Sequence, residues 1–169
     1  MFRNYRIRDY DFKLIFFLVG LTVLGIFSIG SAKVEVQNKQ ILGFVMGLFI
    51  MIVLSFFDYS FFLRFYWVIY ALNIVFLLMV SFLGKEVKGA TRWLEIGGIR
   101  FQPSELTKIM LILFYAQFIL KHHEKLNSLK NMAAIILLLI PPLYLVYDQP
   151  DMSTTIVIAL IFCVVWYVG

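Results

Sequence analysis

Six apolar runs, the first reading LIFFLVGLTVLGIFSIGSA from Leu14 to Ala32, constrain this chain more than any other feature. A run of about 17–20 residues extends roughly 26–30 Å as a helix, which matches the hydrocarbon thickness of a bilayer. In that medium no water satisfies backbone N–H and C=O groups, so only helices and closed barrels can cross it. The runs are continuously apolar rather than alternating, which excludes a barrel. Composition agrees: 62% of residues are hydrophobic and 15% charged, where soluble domains hold about a half and a quarter. The chain reads as an all-α polytopic membrane protein.

Dividing the sequence at its charges places six spans near residues 14–32, 40–57, 65–83, 103–120, 131–147 and 152–169, with an outer hairpin or re-entrant loop over 84–102. Arg3, Arg6, Arg8 and Lys13 precede the first span and only Lys33 and Lys39 follow it, which puts the N-terminus in the cytoplasm. That span is too long for a signal-peptide core and reads as a signal anchor. The formal charge of +5 is spread over short loops, so orientation accounts for it and no nucleic-acid surface is implied. Cys163 lies in an apolar run and reads as a small core residue, with neither a disulfide nor a metal site.

Within the spans, Gly43 and Gly47 form a small-xxx-small pair, read first as ordinary membrane-helix glycine and second as a helix contact. Tyr66, Trp67 and Tyr70, and Trp166 with Tyr167, read as interfacial aromatics. Asn73 is placed for an interhelical hydrogen bond. Pro141 and Pro142 should kink the fifth span and free carbonyls that neighbours must satisfy. His122 and His123 are adjacent, diverge on a helix end and make poor metal geometry.

Charge and turn residues concentrate in Lys88–Lys108. Here the arms TRWLEI and IRFQ flank Gly97-Gly98, as in a tight hairpin lying on the bilayer surface. Pro103 suits the first position of a helix, and Glu105 in its first turn complements the dipole. Glu105 and Lys108 share a face and can pair. Only about a dozen uncharged residues separate Lys108 from Lys121, too few to cross, so this span carries both charges below the interface; the alternative is a snorkelling Lys108 with Glu105 as an interfacial cap. Ionisable groups at that depth are functional candidates. Gln102-Pro103-Ser104-Glu105 finds an echo in Gln149-Pro150-Asp151, and by span count both helix openings lie on the outer side. Together they could form one polar cavity, with Arg92, Arg100 and Lys108 for anionic oxygens and Glu105 and Asp151 to orient them. A lipid-linked phosphate suits it best. The sequence holds no Ser/His/Asp nucleophile set, metal cluster or Gly-rich phosphate loop.

KGATRWLEIGGIRFQPSELTKI resembles the signature around the fourth span of the SEDS family, the RodA, FtsW and SpoVE proteins of bacterial shape, division and sporulation. DQPDMSTT is similar to that family's next motif, although Met152-Ser153 stand where the family more often shows Leu-Gly. The resemblance implies a peptidoglycan glycosyltransferase of the bacterial cytoplasmic membrane that polymerises lipid II at the outer face beside a class B penicillin-binding protein. It matches Arg92, Glu105, Lys108 and Asp151 to the polar central cavity, with Trp93, Gln102, Pro103, Ser104, Gln149 and Pro150 in support. It also implies a bundle of roughly ten helices whose catalytic acid and main partner contacts lie beyond residue 169, so that this chain is an N-terminal part, inactive alone. No cofactor is evident, and a divalent cation stays open for the full-length protein. Two other classes fit the same features: a flippase that moves a lipid-linked headgroup, and a scaffold that positions partner enzymes.

Overall fold

The computed structural model describes residues 11–87, 90–96, 99–122 and 129–168. His123, Gly97-Gly98 and the basic N-terminal residues Arg3, Arg6 and Arg8 lie outside them. The chain divides into two compact units, Met1–Phe61 and Phe62–Gly169.

In the first unit, helices α1 (Phe12–Ala32) and α2 (Val34–Ser55) are joined by Lys33 alone. Asp11 caps α1 by accepting from the Leu14 amide at 3.1 Å. Gly30 admits the Gln37 side chain, which a Cβ there would strike. Gly43 and Gly47 meet nothing within 4 Å, so among the described residues the small-xxx-small pair is not a contact. Helix α2 starts six residues earlier than the charge pattern suggests, because Glu35 in its first turn complements the dipole and the helix continues past the apolar run. A short helix α3 (Tyr59–Arg64), unforeseen in the sequence, straddles the unit boundary.

The second unit holds α4 (Tyr66–Leu83), α5 (Pro103–His122), α6 (Leu129–Asp148) and α7 (Met152–Val168), with strands β1 (Lys85–Val87), β2 (Ala90–Ile96) and β3 (Ile99–Phe101) between α4 and α5. Helix α5 is its centre. Ser104, Thr107, Leu111, Phe114, Tyr115 and Phe118 recur every three or four residues and are buried. Around Phe114 gather Tyr66, Trp67, Tyr70 and Phe118, with ring centroids 4.6–5.8 Å apart. Tyr66 and Tyr70 are thus part of an aromatic core and not a lipid-facing belt, although Lys121 Nζ lies 4.6 Å from the Tyr66 ring at the end of α5. Tyr167 at the far end of α7 is exposed, and so is Cys163, which corrects its reading as a core residue.

Helix α6 runs through Pro141 and Pro142. Pro142 has no N–H to give the Leu138 carbonyl four residues back. Tyr70 Oη fills that role from α4, donating to Leu138 O at 2.9 Å. Asn73 makes the interhelical bond expected of it, accepting from Thr107 Oγ1 at 2.6 Å.

The strands form one antiparallel sheet in the order β1-β2-β3. Ile96 pairs with Ile99, Glu95 with Arg100 and Leu94 with Phe101. Strand β1 adds a third arm that the sequence did not reveal. Gly84, the C-cap of α4, precedes it: a Cβ there would collide with the Val80 carbonyl that accepts the Gly84 amide at 2.8 Å.

Candidate functional site

The site assembles where α5 and α7 begin. Asp151 is the N-cap of α7 and accepts from the Thr154 amide at 3.3 Å and from Ser153 Oγ at 3.0 Å, both through Oδ1. Arg92 reaches the same oxygen from β2, with Nη1 at 3.2 Å. Gln102, just before α5, donates through Nε2 to Asp151 Oδ2 at 2.9 Å and to Ser104 Oγ at 3.0 Å. One carboxylate thereby joins the sheet, the start of α5 and the start of α7. The Asp151 side chain is 1% exposed and that of Arg92 33%, so the pair joins a buried carboxylate to a part-buried arginine.

Burial pushes the Asp151 carboxyl up. The bonds from Thr154 and Ser153 and the charge of Arg92 pull it further the other way, and the net value lies below the ordinary carboxylate one. Asp151 is therefore a charged anchor and a weak base.

Glu105 and Lys108 form a second constellation. Lys108 Nζ donates to both Glu105 oxygens, at 2.9 and 2.8 Å. The Glu105 side chain is 58% exposed and that of Lys108 27%, while Ser104 and Thr107 beside them face the interior. Among the described residues no hydrogen bond or ion pair joins Glu105 to Asp151: one pairs along α5, the other across to the sheet. The reason lies in helix register. Pro103 is the first residue of α5, which puts Glu105 inside the first turn, whereas Pro150 precedes α7 and leaves Asp151 as its cap. The two Gln-Pro openings look alike in sequence and differ in geometry.

Of the supporting residues, Pro103 and Ser104 are buried, and Gln149 donates to the Leu77 carbonyl at 3.1 Å. Trp93 is half-buried on β2. Arg100 is exposed on β3 opposite Glu95. Ser153, Thr154, Thr107 and Tyr70 were not singled out as site or linking residues. An Asp followed by Ser-Thr at a helix start signals the first two, and a hydroxyl within an apolar span signals the others.

A divalent cation does not fit these residues. Asp151 already accepts from a guanidinium, an amide N–H, a hydroxyl and a carboxamide, and Glu105 from an ammonium, so each carboxylate is occupied by donors and held beside a positive charge that repels a cation. Among the described residues no group of three or more His, Cys, Asp or Glu side chains could hold a metal.

A set of apolar helices, four of them long and apolar enough to cross a membrane, with ionic residues where two of the helices begin, defines a polytopic α-helical membrane protein. The chain belongs to the FtsW, RodA and SpoVE family, whose model, described as cell cycle protein, matches residues 11–169. It is 31% identical to the peptidoglycan glycosyltransferase RodA of Treponema pallidum, over 96% of this chain and 39% of that protein. With peptidoglycan glycosyltransferase MrdB of Escherichia coli K12 it shares 35% identity, over 85% of this chain and 38% of the other. Its fold is similar to the crystal structure of the rod shape determining protein RodA of Thermus thermophilus, with a TM-score of 0.85 at 27% identity, covering 95% of this chain and 54% of that one. The chain spans about two fifths of the length of these curated relatives.

Proposed function

We propose that this chain is the N-terminal part of a lipid II-polymerising peptidoglycan glycosyltransferase of the bacterial cytoplasmic membrane, with its N-terminus in the cytoplasm and its sheet at the outer headgroup level. The observation that carries the reading is the Arg92–Asp151–Gln102 cluster beside the Glu105–Lys108 pair, at the starts of two helices in a chain that belongs to this family. In the reaction, one sugar's 4-hydroxyl attacks the anomeric carbon of another and a polyprenyl diphosphate leaves. Arg92 is held by Asp151 with its side chain part-buried, and Lys108 is oriented by Glu105. Both therefore offer preorganised positive charge to the departing diphosphate. Neither carboxylate is poised as the base, since each already accepts from a cation. The base is therefore a group other than these two carboxylates. A class B penicillin-binding protein is the partner this reading implies.

Reconstituting a protein of the relatives' length that carries this segment, with lipid II in the vesicle, tests the reading. Glycan polymer supports the transferase. Leaflet exchange without polymer would make it a flippase, and neither product would make it a scaffold.

A further inference from the structure

One face of α4 ties both constellations to the interior. Tyr70, Asn73 and Leu77 recur at i, i+3 and i+7 and so line one side of the helix. Each bonds a different element: Tyr70 to Leu138 O of α6, Asn73 to Thr107 of α5, and Leu77 O to Gln149 Nε2 in the turn before α7. Two of these tethers end next to the site. Thr107 lies between Glu105 and Lys108, and Gln149 lies two residues before Asp151.

The Asn73 tether has the most direct leverage. Thr107 has one hydroxyl hydrogen and two acceptors within reach, Asn73 Oδ1 at 2.6 Å and Pro103 O at 3.2 Å. The shorter contact takes it. Without Asn73 the hydroxyl turns to Pro103 of its own helix, a local bond that no longer fixes α5 against α4. Thr107 is fully buried and Glu105 is exposed. The rotation of α5 about its axis therefore sets the direction in which the Glu105–Lys108 pair points.

We infer that Asn73 is a positioning residue: through Thr107 it fixes the first two turns of α5 and so aims Lys108 at the lipid diphosphate. The inference rests on the reading of Lys108 as a headgroup contact. Asn73 Nδ2 is buried without a protein partner, so replacing Asn73 by leucine removes a costly donor along with the tether. Stability and positioning are thereby separable.

The test uses the reconstituted protein of the relatives' length with Asn73→Leu, Thr107→Val, both together, and Thr107→Ser. It reads kcat and KM for lipid II, binding of a polyprenyl diphosphate in vesicles, and the unfolding midpoint. Loss of one interhelical bond should lower kcat and diphosphate affinity about fivefold to tenfold in either single variant. The double variant should be no worse, Thr107→Ser should keep the wild-type values, and the midpoint should not follow the loss. Wild-type kinetics in both single variants, additive losses, or rates that track the midpoint would overturn the inference while leaving the transferase reading intact. A wild-type protein that neither polymerises lipid II nor binds the diphosphate would overturn that reading and this inference with it.

Discussion

Asp151 shows how much a single buried charge can organise when every neighbour is a donor. Its carboxylate caps α7 and accepts from Arg92 and Gln102, so the substitution that isolates its charge is Asp151→Asn, which keeps a capping oxygen. Thermal unfolding in detergent should show this variant less stable by about 1–3 kcal/mol, the cost of losing a charged acceptor. The pH dependence follows from the lowered carboxyl value. The contribution of Asp151 is fully present above the ordinary carboxylate value and disappears as pH falls through the depressed one. An acid titration of stability should therefore lose that limb in Asp151→Asn; an identical acid limb in both proteins would contradict the assignment. Arg92, Glu105, Lys108 and Asp151 were legible in the sequence because ionisable groups stand out in a lipid-compatible chain. Their partners were less so. The Gln102–Asp151 bond joins residues 49 apart, and such a meeting depends on helix rotation that no local pattern encodes.

At the scale of elements, the apolar runs made the long helices readable, and the structure departs from them where another force acts. Helix α2 extends through Glu35 and Lys39 because a helix tolerates charge beyond the hydrocarbon. Helix α3 is too short to leave a periodic signature, and β1 consists of Lys-Glu-Val, with no alternation to mark a strand. The proline pair gave the most specific advance warning, since it stated that carbonyls would need donors. Tyr70 supplies one to Leu138 O. Tyr70→Phe should therefore destabilise the protein by about 0.6–1.7 kcal/mol, the range for hydrogen bonds between membrane helices. The loss should shrink in a Pro142→Ala background, where the restored N–H satisfies Leu138 O from within α6. Equal losses in both backgrounds, read by unfolding, would show that Tyr70 acts through packed volume instead.

At the scale of the whole molecule, the family's architecture and a polar cluster at the starts of α5 and α7 point to one surface of the membrane. With a cytoplasmic N-terminus that surface is the outer one. In intact cells a cysteine at Glu95 on β2 should react with an impermeant maleimide, and one at Lys121 at the end of α5 should not, each in a Cys163→Ser background. The reverse pattern would invert the topology and place the site on the side opposite to the one proposed. If the two ionic constellations serve chemistry on a lipid-linked diphosphate, as proposed, lipid II polymerisation should fail in Glu105→Ala and Asp151→Ala variants of the reconstituted protein of the relatives' length. Glycan polymer is expected from the wild type and none from either variant, with all three inserted in the membrane; polymer at the wild-type level from both variants would rule out that role for the two constellations.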